Sequence, residues 1–484
     1  MAGARGVRGQ AHPARGMTDV AVRGSLWLFA VNLVSKSSQV VVTLALALFF
    51  SEAELGAVAL VVSVVNVGQV VQSMGVYDII SRTGRDPLLT AGTVLTMSVA
   101  AGAVLAVTVV AAADPIARVL GAPEAAGMLR LAALTLPFTA AGGVQMALMH
   151  RDLDFRRRML PDAGSMLLGA AVTVALAARG TGPSAFVLGL LCTAVAQPVL
   201  AAVAGARIRP VWDGAAAREA AGWLAVVGPG ALIAVLLVNV DYLAIGHVLG
   251  QEAVGGYSLA FRIAWVPYIV VAVVLGGVLF PICAAKVRSG RSGELPEELH
   301  RFTTATLVVT GGLYVVVALS ADAITLLGAQ WADAAAILVL LCGYGLGLGL
   351  LHVWYQVVRA AGHARQYLAL EAAHLVTLVT ALVFTTPHGP QAVAVTQVAT
   401  VWLLVPATWL VLHRNGLAAP LPRLARTAAA VVAGALVSFV LSTVLPAPAS
   451  VAGLAATATA LLAGYCAVVL PLTRTVLIGL KERT

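Results

Sequence analysis

The stretch GSLWLFAVNLVSKSSQVVVTLALALFF, residues 24–50, decides the fold. About 20 apolar residues rising 1.5 Å each match a hydrocarbon core of about 30 Å, so it is long enough to cross a bilayer. Asn32, Lys36 and Gln39 interrupt it near its centre. Steps of four and three put them on one helical face, which Thr43 continues. A lysine at that depth costs roughly 3 kcal/mol on insertion scales, which turns Lys36 toward protein or a water-filled cavity. Snorkelling to the nearer interface is the alternative, and it is hardest close to the midplane.

The rest of the chain extends this reading. Of 484 residues, 60% are hydrophobic and 11% charged. Mean hydropathy is +0.95. Soluble domains run near 25% charged, so this is a polytopic membrane protein with no stretch polar enough for a soluble catalytic domain. Cys192, Cys283, Cys342 and Cys466 are scattered through apolar spans without metal-ligand or C-x-x-C spacing, and read as packing residues. No catalytic residue, metal site or cofactor is expected. Residues 1–17 are expected to form a disordered tail, with Met17 as an alternative start. No cleaved signal is expected, because the span that follows is too long and polar at its middle.

Fourteen apolar spans can be marked, at about 24–50, 57–77, 90–113, 128–149, 162–178, 184–205, 222–248, 257–282, 303–320, 334–357, 367–385, 391–412, 426–445 and 450–472. The basic residues test them. Of the 30 Lys and Arg, all but five fall in alternate loops: the N-terminal tail, the loops after each even-numbered span, and the C-terminal tail. The opposite loops hold Arg118, Arg130 and Arg179, and Lys36 and Arg262 lie within spans. A missed or invented span would break this alternation. The net charge of +9 is therefore a membrane-topology signal rather than a nucleic-acid one, and both termini are expected in the cytoplasm. Two opposite loops, Asp114–Gly127 and Ala321–Asp333, are long enough for short interfacial or re-entrant helices.

Those two loops resemble each other: VLGAPEAAGMLRLAAL (119–134) lies 207 residues before LLGAQWADAAAILVLL (326–341). ELGAVAL (54–60) lies 199 residues before AVGGYSL (253–259). Spans one to six thus repeat as seven to twelve. An even number of spans makes the repeat parallel, and substrate sites in such transporters lie between the repeats. The expected architecture is all-α: an N-lobe over residues 18–210, a C-lobe over 211–415, and a C-terminal helix pair with its tail over 416–484.

Polar residues inside the spans mark the candidate site. Asn66, Gln69, Ser73 and Tyr77 share a face of the second span, with Gln72 nearby. Asn239 and Asp241 interrupt the seventh, and Ser258, Arg262 and Trp265 share a face of the eighth. With Asn32, Lys36 and Gln39, these faces fall on spans one, two, seven and eight, as a cavity between two lobes requires. Lys36 and Arg262 would give that cavity a positive potential suited to a pyrophosphate, with Asn and Gln donors holding sugar hydroxyls. Alternatively, Asp241 and Arg262 pair with each other and hold two helices together. His352, with Gln356 one turn on, and the Glu371/His374 pair are candidates for proton or ion coupling, set against plain packing roles. The basic segment HRDLDFRRRM (150–159) reads first as a linker lying on anionic lipid, second as a docking patch for a lipid phosphate.

Several stretches carry a family resemblance: LFFSEAELGAVALV (48–61), RDLDFRRRM (151–159), NVDYLAIGHVLGQEAVGGYSLAFRIAWVP (239–267) and VLFPICA (278–284). Over about residues 18–415 the chain resembles the polysaccharide-unit (O-antigen type) flippases of the multidrug/oligosaccharidyl-lipid/polysaccharide exporter superfamily. The resemblance implies two six-helix lobes in a V around a central cavity, with two further helices. It implies flipping of undecaprenyl-diphosphate-linked oligosaccharides from the cytoplasmic to the outer leaflet of a bacterial cell membrane by alternating access. Membrane lipids, a polysaccharide polymerase and glycosyltransferases are the implied partners. Neighbouring readings are a cation-coupled multidrug exporter, expected to have acidic cavity residues, and a lipid II flippase, expected to have more arginines. A polytopic enzyme would need acidic metal sites or a large outer loop.

Overall fold

The computed structural model describes residues 44–73, 75–152 and 155–481, and every described regular element is helical. The long helices are α1 (Glu52–Ser73), α2 (Pro87–Ala111), α3 (Thr135–Arg151), α4 (Ser165–Ala177), α5 (Ser184–Val203), α6 (Gly214–Leu249) and α7 (Gln251–Pro267). They continue with α8 (Val274–Arg288), α9 (Leu295–Leu319), α10 (Ala334–Ala360), α11 (Ala364–Thr385), α12 (Pro390–Arg414), α13 (Leu421–Val444) and α14 (Val451–Lys481). Among the described residues, 13 helical stretches are long and apolar enough to cross a membrane; they correspond to the second through fourteenth spans read from sequence. The greater part of the 24–50 stretch, with Asn32, Lys36 and Gln39, lies outside the described residues.

The local chemistry explains where helices start. Ser51 and Glu54 cap α1 reciprocally: the Ser51 backbone N–H donates to Glu54 Oε2 at 2.9 Å, and the Glu54 N–H donates to Ser51 Oγ at 3.3 Å. Asp86 caps α2 ahead of Pro87, and Asp213 caps α6 through the Ala216 N–H at 2.7 Å. Between α6 and α7 stands Gly250 at φ +85°, a conformation costly for any residue with a Cβ. Two helices carry π-helical segments that periodicity does not reveal: Leu160–Gly164 leads into α4, and Tyr268–Val273 joins α7 to α8 after Pro267. Both contain or follow a proline, whose missing N–H removes an ordinary helical bond.

Packing uses small residues. On α4 and α5, Gly169 faces Thr193 while Gly189 faces Thr173, so each helix seats the other's threonine on a bare glycine. Tyr465 of α14 lies against Gly311 and Gly312 of α9 and Gly434 of α13, and its hydroxyl donates to the Val308 carbonyl at 3.0 Å. That contact, Thr304 beside Thr427 (3.2 Å) and Arg423 with Glu297 (3.0 Å) dock the last two helices onto α9. The two loops expected to hold short helices do so: Ala113–Val119 and Pro123–Ala125 in one, Ala321–Leu327 and Ala329–Trp331 in the other. The two sequence repeats meet along α1, α6 and α7, with α1 packed on both of the others.

Candidate functional site

A cavity of about 340 Å³ lies at that meeting. The α1 side contributes Ser63, Asn66 and Gln69; α6 and α7 contribute Asn239, Tyr242, Phe261, Arg262 and Trp265. Helical spacing places Asn66 and Gln69 on one face of α1, and Phe261, Arg262 and Trp265 together on α7. Asn66 Nδ2 reaches Asn239 Oδ1 at 3.5 Å, a polar contact joining the two repeats at the cavity wall. Asn239 is 4% exposed, and its own amide donates to the Val235 carbonyl at 2.8 Å. Arg262 is the one charged side chain in the cavity's described lining. Phe261 and Trp265 stack at 5.1 Å and 23°, adding an aromatic surface beside it.

The far wall was not read from the sequence. α4 and α5 supply Met166, Gly169, Ala170, Thr173, Phe186, Gly189, Leu190 and Thr193. These residues carry no charge and no amide, so a search for buried polar groups passes over them.

Of the seven residues with which Asp241 was grouped, the four described ones, Asn66, Gln69, Asn239 and Arg262, line the cavity, and Asp241 is placed otherwise. It is absent from the described cavity lining and fully buried behind it. Its carboxylate accepts from the Tyr257 hydroxyl (2.7 Å), Gln397 Nε2 (2.9 Å) and the Tyr242 backbone N–H (2.9 Å). These partners tie α6, α7 and α12 together. Tyr257 and Gln397 were missed; the signal was present in Thr396, Gln397 and Thr400, a polar run inside an apolar span.

No hydrogen bond links His352, Glu371 and His374 to one another among the described residues. His352 Nδ1 lies 3.2 Å from the Tyr268 hydroxyl, and its Nε2 lies 3.3 Å from Gln356 Nε2. Glu371 Oε2 and His374 Nε2 are each buried without a hydrogen-bond partner among the described residues. In the basic segment, Arg158 lies over the Tyr77 ring (5.7 Å) and contacts His150 Nδ1 (3.2 Å) and Asp162 (3.6 Å). Arg151 donates to the Ile80 carbonyl at 2.5 Å. These two arginines brace the ends of neighbouring helices.

A bundle of long apolar helices around an internal polar cavity at a repeat interface defines a multi-pass membrane transporter. The chain belongs to the polysaccharide biosynthesis protein family, whose model matches residues 45–336. It is 29% identical over 335 residues to the succinoglycan biosynthesis transport protein ExoT of Rhizobium meliloti (strain 1021), covering 65% of this chain and 67% of that one. It is 23% identical over 338 residues to the lipopolysaccharide biosynthesis protein WzxC of Escherichia coli (strain K12), covering 68% of each. The fold is similar to that of the lipid II flippase MurJ in its inward closed conformation, with TM-score 0.75, 12% identity, and coverage of 94% and 99%. It is also similar to an inward-facing multidrug resistance MATE family transporter of the MOP superfamily, with TM-score 0.60, 17% identity, and coverage of 81% and 94%.

Proposed function

We propose that this protein flips undecaprenyl-diphosphate-linked oligosaccharide units from the cytoplasmic to the outer leaflet by alternating access. The observation that carries this reading is Arg262: the one charged side chain of the described lining is a cation, set among amides, hydroxyls and aromatic rings, and no carboxylate lines the cavity among the described residues. A guanidinium offers paired donors to phosphate oxygens in a fixed fork, and a partly dehydrated cavity strengthens the attraction. Asn66, Gln69 and Asn239 are suited to sugar hydroxyls, and Trp265 to a sugar-ring face. Lys36, with Asn32 and Gln39 on the same helical face, would add a second cation from the first span. A cationic drug would instead call for a carboxylate in the cavity, which disfavours the drug-exporter reading.

On this proposal residues 18–210 and 211–415 are the two rocking lobes, and both termini are cytoplasmic. The loops at 113–126, 250 and 321–333 then face outward. His352, Glu371 and His374 are the residues through which a proton or ion would drive the cycle; His374 Nε2, buried without a hydrogen-bond partner among the described residues, favours that role over plain packing. The reading is tested by deleting the gene in its native host and analysing membrane lipids by mass spectrometry with leaflet accessibility. One oligosaccharide on undecaprenyl diphosphate should accumulate in the cytoplasmic leaflet. An unchanged pool, with new sensitivity to cationic dyes, would favour the drug exporter; retained lipid II would favour the lipid II flippase.

A further inference from the structure

The sequence repeat and the helix contacts meet at one end of the molecule. Glu52 and Gly56 open α1; 199 residues on, Gln251 and Gly255 open α7. The first turns of these equivalent helices cross. A methyl group on Gly56 would overlap the Gln251 carbonyl oxygen, and one on Gly255 would overlap the Glu52 carbonyl oxygen. The contact is reciprocal: each glycine receives the residue equivalent to the one that its partner receives.

The loops at the same end repeat the arrangement. Glu124, in one loop, accepts from Gln251 Nε2 in the second repeat. Trp331, 207 residues on and at the equivalent place in the other loop, donates from Nε1 to the Ala47 carbonyl in the first repeat at 3.1 Å. Gly121 lies against the Gly246 carbonyl, and Gly246 stands 199 residues after Ala47. Each repeat's loop therefore closes over the end of the other repeat's first span. His247 adds a bond from its Nδ1 to the Val119 carbonyl at 2.7 Å.

We propose that this two-fold clasp, with the Gly56/Gly255 crossing at its centre, is the outer gate of the transport cycle. The helices meet backbone to backbone, so a single Cβ is enough to hold them apart. The inference rests on the alternating-access reading above, and its test uses no substrate, so it fails or stands separately from the choice of cargo.

The test places one cysteine on the cavity wall, Ala170→Cys, in a chain with Cys192, Cys283, Cys342 and Cys466 changed to alanine. A membrane-impermeant maleimide is added from outside to intact cells. Gly56→Ala and Gly255→Ala should each raise the labelling rate several-fold. Gly256→Ala, one residue away with only a methyl group at 3.9 Å from its added Cβ, should leave it unchanged. Rates equal to the parent in correctly inserted Gly56→Ala and Gly255→Ala proteins would overturn the proposal. Should both variants fail to insert, Glu124→Cys with Gln251→Cys is bridged by one equivalent of a short, membrane-impermeant bis-methanethiosulfonate, which forms a disulfide with each thiol and releases methanesulfinate, before Ala170→Cys is labelled. Bridging should bring labelling down to background; labelling that persists at the unbridged rate would overturn the proposal.

Discussion

On the proposed reading Arg262 selects anionic over cationic cargo, and its replacement is the sharpest test at the scale of one residue. Charge-assisted hydrogen bonds contribute about 1.5–3 kcal/mol, so Arg262→Ala should weaken capture of a diphosphate-bearing lipid roughly ten- to hundred-fold. Arg262→Lys should recover part of that loss, because it keeps the charge and loses the fork. Export measured in cells with matched protein levels checks both. Asp241 calls for a different measurement. Its carboxylate accepts three hydrogen bonds at full burial, so Asp241→Ala strands the Tyr257 hydroxyl and the Gln397 amide. Unmade bonds of this kind cost about 1–3 kcal/mol each. A lowered melting temperature in detergent is expected; an unchanged one would show that the network contributes little. The sequence marked Asp241 as a polar break in an apolar span, yet its partners lie 16 and 156 residues on, beyond any local pattern.

Among the elements, α4 and α5 show most plainly what periodicity can and cannot deliver. Their existence and limits were legible, since a 20-residue apolar run such as Ser184–Val203 announces a membrane helix by composition alone. Their place on the cavity wall was not, because glycine, alanine and threonine signal neither charge nor amphipathic contrast. The Gly169–Thr193 and Gly189–Thr173 contacts predict that Gly189→Val should separate the pair and lower the yield of folded protein, read by size-exclusion profile. Val203→Ala, at an exposed position on the same helix, is the control and should be neutral. The π-helical segment Tyr268–Val273 was equally silent in the sequence beyond Pro267, since it alters hydrogen-bond register without altering hydropathy. By contrast, the loop helices at 113–125 and 321–331 were anticipated from loop length.

At the scale of the whole molecule, the sequence repeat coincides with the contacts between its two halves. The short match between ELGAVAL and AVGGYSL marks the place where the two helices touch. Gly56 and Gly255 are common residues in a common setting, and the match alone did not reveal that they face each other. The basic-loop alternation implies an even span count; the described residues hold 13 helical stretches able to cross a membrane, and Lys36 and its neighbours lie outside them. On the proposed reading the Arg262 cavity carries a lipid-linked diphosphate across the bilayer. The most direct measurement reconstitutes purified protein into vesicles with a fluorescent undecaprenyl-diphosphate oligosaccharide and follows its exposure to an outside quencher. Protein-dependent flipping that falls at least ten-fold with Arg262→Ala is the predicted result. Flipping at the protein-free rate, or at an equal rate with and without Arg262, would contradict it.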